Sequence, residues 1–329
     1  MYWDGINPMR MLIKDFDMFW KFYPVAMSRM VYLKLTGKKI RTLYYGGHKV
    51  YSQNDANECL KTALLSNEPF MFGRHGTNEV QLALHALMKK KEITETALTS
   101  EDQNSQCEHS GFFPPTDEAL NRFNELIIDA TKSTDIYGSL WLIGESYYIK
   151  HFLPSKSLVT HTNMMDFWRY EEPFTYALKG QKVLVIHYLA EQIKEQYKKR
   201  ELLFTNPKVL PEFELMAMPA VQTIAGNRDS RFETWFDALD FMYEETKKYD
   251  YDVALLGCGA YGMPLAAKLK QDGKKVIYMG GVLQMLFGIK GKRWDDEPRA
   301  AAMYNEYWVN PDPTMRPMRA TTVEGGCYW

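Results

Sequence analysis

The sequence predicts an α/β fold: a Rossmann-like, mostly parallel sheet with helices on both faces. Three observations carry that expectation. Asp252-Val-Ala-Leu-Leu-Gly-Cys-Gly-Ala-Tyr-Gly-Met-Pro264 is a short apolar run that enters a glycine-rich turn, and Lys275-Val-Ile-Tyr-Met-Gly-Gly281 follows after a helix-length gap. Together they read as a β-turn-α-β unit. Lys182-Val-Leu-Val-Ile-His187 and Pro69-Phe-Met-Phe-Gly-Arg74 are further apolar runs, each followed by a helical pattern. With 46% hydrophobic and 25% charged residues over 329 positions, the chain can also bury a sizeable core.

Taken in order, residues 1–60 read as a helical N-terminal extension. Its aromatic stretch from Met11 to Leu35 contains Lys14, Asp15, Asp17, Lys21 and Arg29, too many charges for a membrane span. It reads as an amphipathic helix pair that packs on the main domain or touches a membrane surface as a peripheral contact. Residues 61–297 form the Rossmann-like domain. In it, Pro69 to Arg74 is a buried strand, and the helix that follows carries Val80, Leu84, Leu87 and Met88 at helical spacing. Thr116 to Lys132 is a helix, and the stretch from Ile136 to Asp166 has no clear period.

Lys182 to His187 is a strand, followed by a helix with Leu189, Ile193 and Tyr197 on one face. Phe213 to Met218 is another strand. Ser230-Arg-Phe-Glu233 has the form of a capping box opening a helix with Phe232, Trp235, Phe236, Leu239, Met242, Tyr243 and Thr246 on one face. In the glycine-rich unit, Pro264 suits a first helical turn and Gly273 a helix stop. Residues 298–329 hold Pro298, Pro311, Pro313 and Pro317 and read as an extended tail laid over the domain.

Charge and cysteine usage narrow the function classes. Forty basic residues against 41 acidic ones give a net charge of −1, without the basic stripe that duplex nucleic acid requires. Cys59, Cys107, Cys258 and Cys327 are scattered with no Cys-x-x-Cys pair, which argues against a zinc site or a disulfide framework and suits a reducing, cytoplasmic setting.

In a parallel sheet of this kind, ligands sit beyond the carboxyl ends of the strands. The groups predicted there are Arg74 to Glu79, His187, Gly257 to Gly262, and Gly280 with Gly281. Gly257-Cys258-Gly259-Ala260-Tyr261-Gly262 matches G-x-G-x-x-G, a pattern that serves phosphate contact, tight strand–helix packing or dinucleotide binding. A dinucleotide site expects a carboxylate at the end of the next strand, where this chain has Tyr278-Met-Gly-Gly281.

Arg74-His75-Gly76-Thr77-Asn78-Glu79 places amides at a helix N-terminus, which favours an anion, and Arg74 adds a planar fork for phosphate oxygens. Glu79 either complements the helix dipole or bridges a divalent cation to a diphosphate. His187 is either a satisfied structural group or a polar contact and general base. Lys290, Lys292 and Arg293 form a basic loop that closes over phosphates or is a solvated charge run.

Gly73-Arg-His-Gly-Thr-Asn-Glu79, Lys182-Val-Leu-Val-Ile-His187 and Leu255-Leu-Gly-Cys-Gly-Ala-Tyr-Gly262, with Gly280-Gly281 behind them, resemble the GT-D-type glycosyltransferases. The resemblance implies a Rossmann-like catalytic domain that moves a sugar from a nucleotide donor, UDP-linked, to a glycan, glycolipid or glycoprotein acceptor in surface polysaccharide or glycoprotein assembly. It implies Arg74, Glu79 and His187 as catalytic candidates. The binding candidates are Arg74, His75, Gly76 and Thr77, the Gly257–Gly262 turn, Gly280, Gly281, Lys290, Lys292 and Arg293.

The family's early motif is Arg-x-Gly-Asp-x-Glu, whose Asp-x-Glu pair is proposed to hold Mn²⁺ or Mg²⁺; here the Asp position is Thr77 and only Glu79 remains. An NAD(P)-dependent oxidoreductase and a non-catalytic nucleotide-sugar-binding protein are the alternatives.

Overall fold

The computed structural model describes residues 43–90, 100–142, 144–323 and 325–329, with residues 28, 31, 32 and 34–37. Most of the expected N-terminal helix pair lies outside the described residues. The core is a seven-stranded sheet in the order β5-β4-β3-β9-β8-β6-β7. Its strands are β3 (Phe70–Gly73), β4 (Ile136–Ser139), β5 (Leu158–His161), β6 (Lys182–His187), β7 (Glu214–Met218), β8 (Val253–Gly257) and β9 (Lys275–Tyr278). Every pairing is parallel. A small antiparallel hairpin, β1 (Tyr44–Tyr45) with β2 (His48–Lys49), precedes them.

Strand alternation divides the core into two layers. On β6, Leu184 and Ile186 enter one apolar cluster while Val183 and Val185 enter the other, and on β8 Ala254 and Leu256 part from Val253 and Leu255 in the same way. Neither face of these strands meets water, so they read as continuous apolar runs. The first layer lies under α2 (Thr77–Lys90), α4 (Asp117–Lys132), α7 (Trp235–Thr246) and α8 (Gly262–Gln271). The second lies under α1 (Gln53–Leu65), α6 (Ala190–Tyr197) and α9 (Val282–Leu286). The remaining helices that bear on the site are α3 (Ser100–Ser110) and α5 (Glu145–Phe152).

The helix starts follow their caps. The Ser52 hydroxyl accepts the Asp55 amide at 3.1 Å to open α1, and the Thr116 hydroxyl accepts the Ala119 amide at 3.2 Å to open α4. α1 runs through residue 60, where the extension was expected to end. The capping box expected at Ser230 sits four residues later: the Asp237 amide donates to Thr234, and the Thr234 amide donates to Asp237 at 2.7 Å. Asp229 is instead engaged by the Arg231 guanidinium and amide, which leaves Phe232 ahead of the helix. The unassigned stretch from Ile136 supplies two sheet strands, β4 and β5, with α5 between them.

The β8–α8–β9 unit is closed by a tyrosine set against a glycine. Tyr278, the last residue of β9, donates its hydroxyl to the Gly259 carbonyl at 2.7 Å. Its ring lies against Gly262, where an added Cβ would stand 2.2 Å from Tyr278 Cε2. The Tyr261 ring stacks on Trp235 at 4.5 Å, which ties the turn to α7. Gly262→Ala should therefore lower stability by about 1–3 kcal/mol in equilibrium urea unfolding. The same change in a Tyr278→Leu background should cost much less, and an equal cost in both would place the strain elsewhere.

Candidate functional site

Beyond the carboxyl ends of β3, β6, β8 and β9 lies a cavity of about 480 Å³, within the range of small-molecule sites. Arg74 and Gly259, far apart in the chain, both line it. The Arg74 guanidinium lies over the turn after β9. Its Cζ is 5.3 Å from the Tyr278 ring centroid, and a Cβ at Gly280 would stand 1.8 Å from Nη2. Gly280 has φ +67°, so the position needs glycine both for its backbone and for the approach of the arginine.

Arg74, Gly76, Thr77, Glu79, His187, Gly257 to Tyr261, Gly280, Gly281 and Arg293 all border the cavity. His75, Gly262, Lys290 and Lys292 do not. Just past the end of β3, His75 turns into the first core layer while Arg74 stays at the cavity. There its Nε2 lies 2.7 Å from Thr131 Oγ1 and 3.3 Å from the Tyr148 hydroxyl, and burial pulls its pKa down to about 3. Gly262 serves the Tyr278 contact. Lys290 Nζ sits over the Tyr304 ring at 5.2 Å, and exposed Lys292 reaches the Gly325 carbonyl at 3.3 Å. Of the basic loop, only Arg293 reaches the cavity.

His187 is 1% exposed. Its Nδ1 accepts the Leu189 amide at 3.1 Å, so the neutral ring carries its proton on Nε2. Burial pulls its pKa down to about 3. A ring protonated on Nε2 and bonded through Nδ1 is placed as a hydrogen-bond donor. Burial pushes the Cys258 thiol up to about 12, which favours its protonated form.

Glu79 is the only side-chain carboxylate among the described residues that line the cavity. It folds back over Gly76, where an added Cβ would stand 2.2 Å from Oε2. Burial raises its pKa, opposed by hydrogen bonds from its own amide, the Ser110 side chain and the Gly76 amide and by the charge of Arg74. Its geometry thus includes the helix-end role expected of a carboxylate in a first turn. An octahedral Mg²⁺ or Mn²⁺ draws on several anionic oxygens. One carboxylate already committed to amides, beside an arginine and with Thr77 in the Asp position, does not by itself supply the shell of such an ion. Among the described residues, no group of three or more His, Cys, Asp or Glu is placed to hold a metal.

The loop after β4 adds Leu140 to the lining. Buried Glu145 fixes this loop by accepting from the Tyr137 and Ser139 hydroxyls and from the Leu140 and Leu142 amides at 2.8–3.3 Å. The C-terminal tail supplies a wall that sequence reasoning missed, since no motif marks Val323, Tyr328 and Trp329. Tyr188, Gln222 and Gln284 were missed as well; each lies near a predicted strand end or glycine pair, the only signal available.

No dinucleotide-type carboxylate stands at the end of β9. Tyr278 takes that place and its hydroxyl is engaged within the turn. No helix among the described residues is long and apolar enough to cross a membrane.

The chain is similar to two solved structures. One is a selenomethionine-substituted domain of unknown function 1792, with 12% identity, a TM-score of 0.40, and coverage of 72% of this chain and 79% of that one. The other is a domain of unknown function 1792 described as having a distinct glycosyltransferase fold, with 11% identity, a TM-score of 0.38, and coverage of 71% and 79%. Likenesses this distant carry no argument. No curated protein matches. The GT-D fold-like domain matches residues 51–286, more than two thirds of the chain, and the protein belongs to the GT-D-like family.

Proposed function

We propose that the protein is a glycosyltransferase that takes a sugar from a UDP-linked donor and passes it to a glycan, glycolipid or glycoprotein acceptor. The observation that carries this is Arg74 seated against Gly280, in one cavity with the Gly257–Tyr261 turn and Arg293. The cavity holds two arginines against one side-chain carboxylate, with open space at Gly259, and suits a diphosphate.

In transfer, the bond from the anomeric carbon to the diphosphate oxygen breaks, and its electron pair leaves with the diphosphate. The acceptor oxygen bonds to that carbon, and its proton passes to the Glu79 carboxylate. Arg74, Arg293 and the amides of the turn offset the charge that grows on the leaving group. Burial lifts the Glu79 carboxyl toward neutrality, which makes it a stronger base than an exposed carboxylate. His187 contributes a neutral N–H donor. No step runs through a metal ion.

Isothermal titration tests the diphosphate site. Wild-type protein should bind UDP and a UDP-sugar equally well with EDTA or Mn²⁺ present. Arg74→Ala should weaken UDP binding by about 10- to 100-fold, the scale of a lost hydrogen bond to a charged group. Gly280→Ala should weaken it in the same direction by displacing the retained arginine. Absence of UDP binding at millimolar concentration removes the proposal. Binding without turnover of any UDP-sugar would favour the non-catalytic alternative.

The buried His187 also sets a pH dependence of stability. Its folded-state value of about 3 lies below the ordinary 6.5. Between those values the unfolded chain binds a proton and the folded chain does not, so stability is full above the upper value and falls as pH drops toward the lower one. His187→Asn, whose Oδ1 can accept the Leu189 amide, should flatten that decline by up to about 1.4 kcal/mol per pH unit. Urea unfolding of both proteins from neutral to mildly acidic pH measures the slopes. Equal slopes would mean that the ring titrates near its ordinary value.

A further inference from the structure

The paired glycines after β9 each leave room for one group from elsewhere in the chain. At Gly280 that group is the Arg74 guanidinium. At Gly281 it is an aromatic ring: an added Cβ would stand 2.1 Å from Tyr328 Cε1, 2.8 Å from Cδ1 and 3.1 Å from Cζ. Gly281 opens α9 with φ −61° and ψ −24°, values that any residue adopts. Glycine serves there for space and not for backbone conformation.

The same ring seats the second arginine of the cavity. Arg293 Cζ lies 4.8 Å from the Tyr328 ring centroid, within cation–π range. Backbone bonds fix the two segments against each other. The Arg293 amide donates to the Cys327 carbonyl at 2.9 Å, and Gln284 Nε2 donates to the Tyr328 carbonyl at 3.1 Å. Arg293 Nη2 lies 3.3 Å from Cys327 Sγ. The Trp294 and Trp329 rings stand 6.4 Å and 5.9 Å from the Tyr328 ring. Tyr328 thus ties the turn after β9 to the short helix Lys292–Asp295 that carries Arg293.

An arginine side chain has many rotamers, and one held in place beforehand gives up less freedom when it meets an anion. We propose that Tyr328 is the positioning residue for Arg293, so that the Gly280–Gly281 pair sets both cavity arginines, Arg74 directly and Arg293 through that ring. The role rests on the diphosphate reading of the same cavity. It brings in a part from outside the GT-D-like domain, because Arg293 and Tyr328 both lie beyond residue 286. A ring that only filled space would have no energetic coupling to Arg293.

A double-mutant cycle on the full chain, read by titration calorimetry with UDP and with inorganic pyrophosphate, tests this role. Arg293→Ala should weaken both ligands by about 10-fold or more, the scale of a lost hydrogen bond to a charged group. Tyr328→Leu should weaken both by about 3- to 10-fold, the scale of a lost cation–π seat. In an Arg293→Ala background the same change should shift neither ligand by more than about twofold. Tyr328→Phe keeps the ring and should recover most of the lost affinity. Gly281→Ala pushes the ring aside without removing it, and should follow Tyr328→Leu in both backgrounds. Equal losses with and without Arg293, or wild-type binding by Arg293→Ala, would overturn the positioning role and leave the diphosphate site standing. A wild-type protein that binds neither UDP nor pyrophosphate would instead remove the diphosphate reading. The Tyr328 and Gly281 variants displace the same ring by different routes, so either completes the cycle if the other does not fold.

Discussion

The site depends on how closely two chain segments can approach where the strands end. β3 and β9 are hydrogen-bonded neighbours, so Arg74 and Gly280 emerge side by side. The guanidinium occupies space that a Cβ at residue 280 would fill, and the Tyr278 ring does the same at Gly262. A methyl group at either position would force the strand ends apart or swing the side chain away. The glycines thus set the distance between a fixed positive charge and a fixed set of backbone groups, the spacing on which the proposed anion site rests.

Around this contact the protein keeps its buried ionisable groups neutral or fully bonded. His75 and His187 are both held far below their ordinary range by burial. Glu145 is raised by burial even though it accepts four hydrogen bonds, and those bonds hold the loop that places Leu140 at the cavity. The strong electrostatic features left at the cavity are Arg74, Arg293 and Glu79. Partly enclosed by protein, each acts over a longer range than it would on the open surface.

The sheet's middle was legible because β6, β8 and β9 are unbroken apolar runs bounded by polar or glycine stops, the signature of strands covered on both faces. β4 and β5 were not. Ile136-Tyr-Gly-Ser139 and Leu158-Val-Thr-His161 mix glycine and polar residues, and only their pairing partners make them strands. Motifs located the cavity but not the direction of each side chain. Arg74 and His75 are adjacent in sequence, yet one borders the cavity and the other is buried against Thr131 and Tyr148. Ser230 was expected to head the capping box, and Thr234 with Asp237 forms it instead. The aromatic wall could not be read in advance, because it forms through contacts across 34 and 44 residues, Arg293 with Cys327 and Gln284 with Tyr328.

The departure at Thr77 gains physical sense from these neighbours. A pair of carboxylates beside a diphosphate is repulsive unless a cation stands between them, so a protein that keeps the pair must also bind the ion. With one carboxylate removed, the survivor faces Arg74, whose charge favours its ionised form while burial opposes it. A covalently held guanidinium can then do the neutralising work of a divalent ion without needing a coordination shell, and its planar fork adds direction that a spherical ion lacks. The cost is rigidity. In the proposed reaction the arginine must be seated where the diphosphate leaves, and here that seat is the missing side chain of Gly280.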